Sequence, residues 1–220
     1  MRFIVFDCDG TLVNSQQELM QGIRMAWNAE GLSAPLLSSV LSIVGLPLDE
    51  AILSLNPKGG EEQNTRLKLA YLNAFSENIF DTETDEVLYD GVIETLQTIN
   101  TDNTLMAIVT GRGRQGLQKV LDRHDLGKFF AITKTADCGA GKSNPQVLLE
   151  AMAEVGADKK NTIIIGDTIH DIEMGNNAKI KSIGVSFGYH SVDDLKNAGA
   201  SIIVDDFSYL PQAINTILEE

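Results

Sequence analysis

Residues 3–11 read Phe3-Ile4-Val5-Phe6-Asp7-Cys8-Asp9-Gly10-Thr11, and this stretch decides the fold. Four consecutive apolar residues indicate a buried strand, and the Asp-Cys-Asp-Gly that closes them indicates a sharp turn at its carboxyl end. Asp7 and Asp9 are two residues apart, so their side chains begin on the same side of an extended chain. The two carboxylates repel each other, and a divalent cation would relieve that repulsion. One could act as a nucleophile while the other transfers protons, although a polar turn with solvated aspartates explains such a pair equally well.

Apolar runs of the same kind recur along the chain, with helical patterns between them. The runs cover residues 105–109, 163–165, 183–185 and 202–204, with a weaker candidate at 130–133. Residues at helical spacing separate them, for example Leu148, Ala151, Met152 and Val155. Strands that alternate with helices predict an α/β fold with a doubly wound, Rossmann-like parallel sheet. Ligands bind such sheets at the carboxyl ends of the strands, which is where Asp7 is expected.

One long segment interrupts this alternation. Between about residue 15 and residue 85 there is no convincing strand pattern, whereas Leu19, Ile23 and Trp27 mark one helix and Leu67 and Tyr71 mark another. Shorter helical pieces are predicted at 36–44 and 48–55. Some 70 residues are too many for a simple connection between two strands. The sequence therefore predicts an α/β core formed by residues 1–14 and 86–220 and an inserted helical cap formed by residues 15–85.

A second acidic group follows the predicted strand at 163–165. The sequence there is Gly166-Asp167-Thr168-Ile169-His170-Asp171. Asp171 comes four residues after Asp167, so a helix that begins here places both on one face. Carboxylate oxygens are hard ligands that suit Mg²⁺. Taken alone, the pattern is better explained by a helix N-cap at Asp167, but four aspartates at two strand ends favour a metal site.

Two further positions carry candidates for binding an anion. Thr110 and Gly111 follow the predicted strand at 105–109, where a hydroxyl and a free N–H form a cradle for phosphate. A helix cap at Thr110 explains them at least as well. Lys142 lies in the loop 139–145 and could neutralise a nucleophile and a phosphate, although a lone loop lysine is more often solvated. The nearby Arg112 and Arg114 are predicted to be ordinary exposed side chains.

The order and placement of these groups resemble the four motifs of the haloacid dehalogenase superfamily. Asp7-Cys8-Asp9-Gly10-Thr11 resembles the first motif, Thr110 the second, Lys142 the third, and Gly166-Asp167-Thr168 with Asp171 the fourth. The predicted helical insert resembles the small cap of that family, which lies between its first two motifs. The similarity covers nearly the whole chain and is greatest for the phosphoglycolate phosphatase and beta-phosphoglucomutase branch.

The resemblance implies how the acidic residues would act. Asp7 would be the nucleophile and a metal ligand. Asp9 would protonate the leaving group, then activate water, and would bind the metal through its backbone carbonyl. Asp167 would bind Mg²⁺, with Asp171 as a further ligand or as a partner of the ligands.

The resemblance also implies which residues would hold the substrate. Thr110 and the Gly111 N–H would bind phosphate oxygens, and Lys142 would orient the nucleophile and the phosphate. The backbone N–H of Cys8 would also contact the phosphate, with no role for its thiol. Gly45, in residues 44–47, would belong to the cap loop that reaches the active site and selects the substrate.

The implied activity is Mg²⁺-dependent hydrolysis of the phosphate monoester of a small metabolite through a phospho-aspartyl intermediate. Phosphoglycolate is suggested as the substrate only by analogy with the family. Its carboxylate would need a cation nearby, and residues 36–48 contain no Lys or Arg. A phosphomutase of the beta-phosphoglucomutase type uses the same core residues and stays an alternative, as does a non-catalytic binding protein on the same fold. Asp9 argues against a dehalogenase, which needs no such proton donor. Ser143 stands where proline often follows the lysine of the third motif.

Composition limits the remaining possibilities. The formal net charge is −14, so binding to nucleic acid or to an anionic membrane is not expected. Neither Cys8 nor Cys138 lies in a CxxC pair, so neither disulfides nor a zinc site is expected. No charged leader and no apolar run of about 18 residues is present. The sequence therefore predicts a cytoplasmic protein, a monomer or homodimer, that acts on a small phosphorylated metabolite.

Overall fold

The computed structural model describes residues 1–76, 86–138 and 142–219. The predicted end of the insert at residues 77–85 and the glycine-containing loop at residues 139–141 lie outside the described residues. The strands are β1 (Arg2–Phe6), β2 (Val13–Asn14), β3 (Val87–Leu88), β4 (Thr104–Val109), β5 (Ile132–Lys134), β6 (Thr162–Gly166), β7 (Lys181–Val185) and β8 (Ile202–Val204). Across the described ranges, six of them form one parallel sheet in the order β5-β4-β1-β6-β7-β8. The predicted fold class is confirmed.

The helices cover both faces of this sheet and also fill the segment between β2 and β3. They are α1 (Gln16–Ala29), α2 (Leu37–Leu41), α3 (Leu48–Leu55), α4 (Gly60–Ser76), α5 (Val92–Ile99), α6 (Arg114–Arg123), α7 (Gln146–Val155), α8 (Ile169–Ala178), α9 (Val192–Asn197) and α10 (Leu210–Glu219). Within the described ranges, none of these helices is long and apolar enough to cross a membrane.

The alternation of side chains in β1 explains why the sheet needs helices on both faces. Ile4 and Phe6 belong to the apolar cluster that includes residues of α5, α6 and α10. Phe3 and Val5 belong to a second cluster with residues of α7 and α8. Successive residues of a strand point to opposite faces, so a strand that is apolar throughout is buried on both sides.

The register of the central strands brings several chain segments to one edge. Phe6, the last residue of β1, pairs with Ile108 of β4 and with Ile165 of β6. Because the three strands are parallel, the chain leaves all of them at the same carboxyl edge. Residues that directly follow these strands therefore lie side by side, although more than 150 positions separate the first from the last in sequence.

Helices α1 to α4 pack around an apolar cluster of their own. Its fully or nearly fully buried members include Ile23, Trp27, Val40, Ile52 and Leu67. The short strands β2 and β3 pair antiparallel at the base of this segment, with Val13 opposite Leu88. The chain thus enters the helical segment and returns from it along two adjacent strands.

Candidate active site

Three carboxylates meet at the carboxyl edge of the sheet. Asp7 follows β1, Asp167 follows β6, and Asp171 lies in the first turn of α8. All three are buried, with at most 1% of the residue exposed. They offer ligand oxygens that lie within 4.8 Å of one another. The two acidic patterns that the sequence separates by about 160 positions therefore form one cluster.

Lys142 is the cation of this cluster. Its Nζ forms an ion pair with Asp7 and lies 3.0 Å from Asp171 Oδ1. Burial opposes the charged form, but Asp171 and Asp7 hold the pKa of Lys142 above its ordinary value. Burial also raises the pKa of Asp7, and Lys142 only partly offsets this effect. A lone lysine in a loop is more often solvated. The structure instead buries Lys142 against Asp7, the predicted nucleophile.

Asp167 is held in place by neighbouring donors. The Thr11 hydroxyl donates to its Oδ1 at 2.8 Å and the Tyr189 backbone N–H donates to its Oδ2 at 2.9 Å. A Cβ on Gly10 or Gly188 would lie 2.1 Å from an atom of the Asp167 side chain, so these positions require the small residue. Burial raises the pKa of Asp167 to about 7, although Lys142 opposes the shift.

The donor set fits a divalent cation. Three buried carboxylates face one ammonium group, so full ionisation of the three would leave an excess of negative charge that Lys142 cannot balance. Within the described chain, Asp7 Oδ1 is buried without a hydrogen-bond partner. Such an orphaned oxygen costs free energy unless another group satisfies it. A hard cation such as Mg²⁺ takes oxygen ligands of this kind, so the residues present match the ion that the sequence predicts.

Asp9 does not belong to this triad of side chains. Its carboxylate accepts from Arg112 Nε at 3.0 Å and from the Ser15 hydroxyl at 2.6 Å. Burial opposes ionisation, yet Arg112 and Ser15 hold the pKa of Asp9 below its ordinary value. Asp9 lines a cavity beside Asp7, and its side chain is 20% exposed. The side chain of Asp9 therefore lies against Arg112 at the cavity and apart from the cluster of Asp7, Asp167 and Asp171.

The prediction that Arg112 is an ordinary exposed side chain is wrong. Its side chain is only 13% exposed and forms ion pairs with Asp9, Glu18 and Glu86. Glu18 lies on α1 and Glu86 directly precedes β3, so both partners are far from Arg112 in sequence. Pattern analysis could not detect these contacts. Arg114, by contrast, is exposed as predicted.

The residues predicted to bind phosphate occupy different environments. Thr110 is buried, and its hydroxyl accepts from the Arg112 backbone N–H at 3.2 Å. Gly111 is exposed and lines the cavity, with open space where a Cβ would be. Cys8 is fully buried, with its side chain in the core, and it is not among the described residues that line the cavity.

Gly45 reaches the site from the helical segment. It has a φ of 95°, and a Cβ there would lie 2.6 Å from the ring of His170 on α8. The Nδ1 of His170 lies 2.9 Å from the Ser143 hydroxyl, which also donates to Glu173 at 2.9 Å. Ser143 stands where proline often follows the lysine of the third motif. Its hydroxyl contacts connect the segment after Lys142 to α8.

A cavity of about 520 Å³ opens above the acidic cluster. Asp7, Asp9, Thr110, Gly111 and Lys142 line its floor, and residues of α1, α3, α4 and the turn 43–47 line the opposite wall. Tyr189 also contributes to the wall, where its hydroxyl lies 2.8 Å from the Ser15 hydroxyl.

The fold and this site define a class: α/β enzymes whose active site lies at the carboxyl edge of a parallel sheet. Residues 4–185 match the model of the haloacid dehalogenase-like hydrolase family, and the chain belongs to that family. The family predicted from the four motifs and the class of enzyme are both confirmed.

The most similar proteins found by comparison include several that are named phosphatases. The chain is 30% identical to "Probable phosphatase IndB" of Dickeya dadantii over 98% of this chain and 94% of that protein. It is 26% identical to a phosphoglycolate phosphatase of Agrobacterium fabrum, over 96% and 91% of the two chains. A solved structure of a predicted phosphatase from Clostridium acetobutylicum is 25% identical, covers 100% and 99%, and superposes with a TM-score of 0.84.

Proposed function

We propose that this protein is a Mg²⁺-dependent phosphatase that hydrolyses the phosphate monoester of a small metabolite through a phospho-aspartyl intermediate on Asp7. The observation that carries this proposal is the position of Lys142, whose ammonium group contacts both Asp7 and Asp171 beside Asp167. A cation buried among carboxylates at a strand edge balances charge on a nucleophile and on a bound anion. The names of the relatives support a phosphatase.

The metal would be held by the carboxylates of Asp7, Asp167 and Asp171, with the backbone carbonyl of Asp9 as a further ligand. When bound, Mg²⁺ neutralises charge on the carboxylates and on the phosphate oxygens. Thr11 and the Tyr189 N–H would keep Asp167 oriented for this task, since they already hold both of its oxygens.

In the first half of the reaction, an oxygen of Asp7 attacks phosphorus and the bond from phosphorus to the ester oxygen breaks. Asp9 donates a proton to the departing alkoxide. Lys142, the Thr110 hydroxyl and the Gly111 N–H bind the non-bridging oxygens, where negative charge is concentrated. For Asp9 to carry that proton, its contact with Arg112 must weaken when substrate enters, because that contact favours the carboxylate.

In the second half, water attacks the phosphorus of the phospho-aspartyl group. Asp9, now a carboxylate, accepts a proton from this water. The bond between phosphorus and Asp7 breaks, which releases inorganic phosphate and restores the free nucleophile. Lys142 stays beside Asp7 and stabilises the carboxylate as it is released.

The helical segment would act as a cap over the cavity, with residues 15–85 as the cap and residues 1–14 and 86–220 as the core. Its separate apolar cluster and its two adjacent connecting strands support this division. We further propose that the protein works in the cytoplasm as a monomer or homodimer.

The test is phosphate release from p-nitrophenyl phosphate with Mg²⁺ and then with excess EDTA. We expect turnover that requires Mg²⁺ and is lost in Asp7→Asn, and a phosphorylated Asp7 in acid-quenched peptides. The panel should include phosphoglycolate and diphosphate, because relatives are named for activity on them. Conversion of a sugar phosphate to its isomer without free phosphate would indicate the phosphomutase instead. No turnover on any ester would favour the binding protein.

A further inference from the structure

The helical segment forms one wall of the cavity, and most of the described side chains that it contributes are apolar, with Ser15, Glu18 and Tyr71 as the polar ones. Leu19, Ile43, Val44, Leu46, Leu48 and Leu72 all line it, and they come from α1, the turn before α3, α3 and α4. The charged residue that this segment contributes to the cavity within the described chain is Glu18, a carboxylate. An anionic group on a substrate would therefore meet apolar surface and one negative charge on this wall.

The basic residues of the helical segment do not reach this wall. The segment contains Arg24, Lys58, Arg66 and Lys68, and none of them lies among the described residues that line the cavity. Arg66 pairs with Glu30 at 3.0 Å and Lys68 pairs with Asp49 at 2.8 Å. By sequence, residues 77–85 and 139–141 contain no Lys or Arg.

Besides Lys142, the basic residues that line the described cavity belong to the core side, and Arg112 and Arg123 lie against carboxylates. Arg112 pairs with Asp9, Glu18 and Glu86, and Arg123 lies 3.7 Å from Glu86. Lys119 is exposed at the rim on α6. A second anionic group on the substrate would have to compete with three carboxylates for Arg112, which makes this side a poor site for it.

The volume of the cavity also bears on the substrate. A cavity of about 520 Å³ lies within the range of about 300–1,000 Å³ that is usual for sites of drug-sized ligands. A phosphate group with a two-carbon acid would leave much of the apolar wall uncovered. A larger organic group that covers the wall would gain the free energy of removing apolar surface from water.

We propose that the natural substrate is the phosphate monoester of an uncharged, largely apolar organic group that is larger than glycolate. The phosphate binds at the acidic cluster and Lys142, and the organic group packs against the wall formed by Leu19, Ile43, Val44, Leu46, Leu48 and Leu72. This inference rests on the proposed phosphatase function and distinguishes the protein from the relatives named for phosphoglycolate and for diphosphate.

The first experiment compares ethyl, butyl and hexyl phosphate with phosphoglycolate, in the presence of Mg²⁺. The alkyl esters share their leaving-group chemistry, so differences in kcat/KM among them report how the organic group binds. Phosphoglycolate differs from ethyl phosphate in having a carboxylate in place of the methyl group. We expect kcat/KM to rise about fourfold for each methylene that the wall covers and phosphoglycolate to fall below ethyl phosphate. A phosphoglycolate value above that of butyl phosphate would overturn the proposal.

The second experiment places a cation on the wall. Val44→Lys should lower kcat/KM for butyl phosphate and raise the ratio of phosphoglycolate to butyl phosphate at least tenfold. Leu46→Gln, which adds no charge, should reduce the gain from each methylene without favouring phosphoglycolate. Leu53→Lys is the matched control, because Leu53 is on the same segment, is 55% exposed and does not line the described cavity. Equal ratios in Val44→Lys and Leu53→Lys would contradict the assigned wall.

Different results would contradict the proposed phosphatase function and the proposed apolar substrate. If p-nitrophenyl phosphate and every other ester release no phosphate with Mg²⁺, the proposed function is wrong and this inference falls with it. If phosphate is released but chain length has no effect and phosphoglycolate is preferred, the phosphatase stands and the apolar substrate is wrong. Circular dichroism of each variant separates a lost fold from a changed preference.

Discussion

At the scale of single residues, Asp9 shows how one carboxylate can be set apart from three others. Asp7, Asp167 and Asp171 cluster with Lys142, whereas the side chain of Asp9 contacts Arg112 and Ser15. Two residues of separation in sequence are therefore enough to place two aspartates in different electrostatic environments. The proposed roles require an ionised Asp7 and a protonated Asp9 when substrate binds. The pKa shifts run the other way, because burial raises the pKa of Asp7 and Arg112 holds the pKa of Asp9 low. Binding of a cation beside Asp7 and a weaker contact between Asp9 and Arg112 would reverse both shifts.

The first prediction is that Asp9→Asn nearly abolishes turnover while the fold is kept. An amide neither donates an acidic proton nor accepts one from water, so the rate should fall by about 10²–10⁴-fold. Phosphate release from p-nitrophenyl phosphate measures the rate, and a thermal melt checks the fold. Asp90→Asn, at an exposed aspartate, is the control and should be unchanged. A near-normal rate in Asp9→Asn would refute the acid and base role.

The second prediction concerns Arg112 and the neighbouring Arg114, which sequence patterns treat alike. Arg112→Gln removes a cation shared by three carboxylates and should lower the free energy of unfolding by about 3 kcal/mol. Arg114→Gln changes an exposed side chain and should alter it by less than about 0.5 kcal/mol. Urea denaturation at pH 7.5 measures both. Equal stability of the two variants would mean that the Arg112 contacts contribute nothing to folding.

At the scale of elements, ion pairs to one arginine, Arg112, link α1 to the segment before β3. Glu18 on α1 and Glu86 before β3 share the guanidinium of Arg112, which follows β4. Burial raises the pKa of Glu18 to about 7; Arg112 opposes this shift, and Glu86 and Asp9 add to it. One cation thus holds both ends of the helical segment against the sheet, with more carboxylates than it can neutralise.

The third prediction follows from the sign of that shift. With the pKa of Glu18 raised to about 7 from 4.5, the folded state binds more protons than the unfolded state between these values. The wild type should therefore lose stability, relative to Glu18→Gln, as the pH rises from 4.5 to 8. The difference should reach on the order of 2 kcal/mol at pH 8 and vanish below pH 4.5. Urea denaturation across this range measures it.

Glu61→Gln is the control for this pH dependence, because Glu61 is exposed in the first turn of α4. The gap between Glu61→Gln and the wild type should not grow with pH in the way expected for Glu18→Gln. A stability difference between Glu18→Gln and the wild type that stays constant from pH 4.5 to 8 would exclude Glu18 as the titrating group.

Elements could be predicted where one local pattern decides them. The buried strands were found within two residues of their bounds, as with 105–109 against β4 and 163–165 against β6, because each is a continuous apolar run. The helix at 48–55 was predicted at its observed bounds. The two-residue strands β2 and β3 and the short helix α9 were missed, since they have too few residues to show a period.

The site residues that follow strands could be predicted from the apolar runs before them, whereas Lys142 and Gly45 were identified through the resemblance to the family. Asp7, Thr110 and Asp167 follow apolar runs, so a parallel sheet brings them to one edge. The burial of Arg112 could not be predicted, because it depends on partners such as Glu18 and Glu86 that are distant in sequence. Contacts of this kind are set by packing between elements, which a local pattern does not record.

At the scale of the whole molecule, strong negative charge coexists with a site for an anionic substrate. The formal net charge is −14, and three buried carboxylates add to the negative potential at the carboxyl edge of the sheet. Lys142 alone does not offset them. A cation that binds the folded state at this edge would therefore stabilise the entire molecule, in addition to its part in chemistry.

The last prediction is that Mg²⁺ raises the melting temperature of the wild type through this cluster. At about 100 times its Kd, a ligand that binds only the folded state adds about 2.7 kcal/mol. For a chain of this size that corresponds to roughly 5–10 °C. Asp167→Asn should lose most of the increment, whereas Asp205→Asn, at an exposed aspartate, should keep it. NaCl at matched ionic strength corrects for general screening of the −14 charge. An equal increment in both variants would show that Mg²⁺ binds elsewhere, and the acidic cluster would lose its role as the metal site.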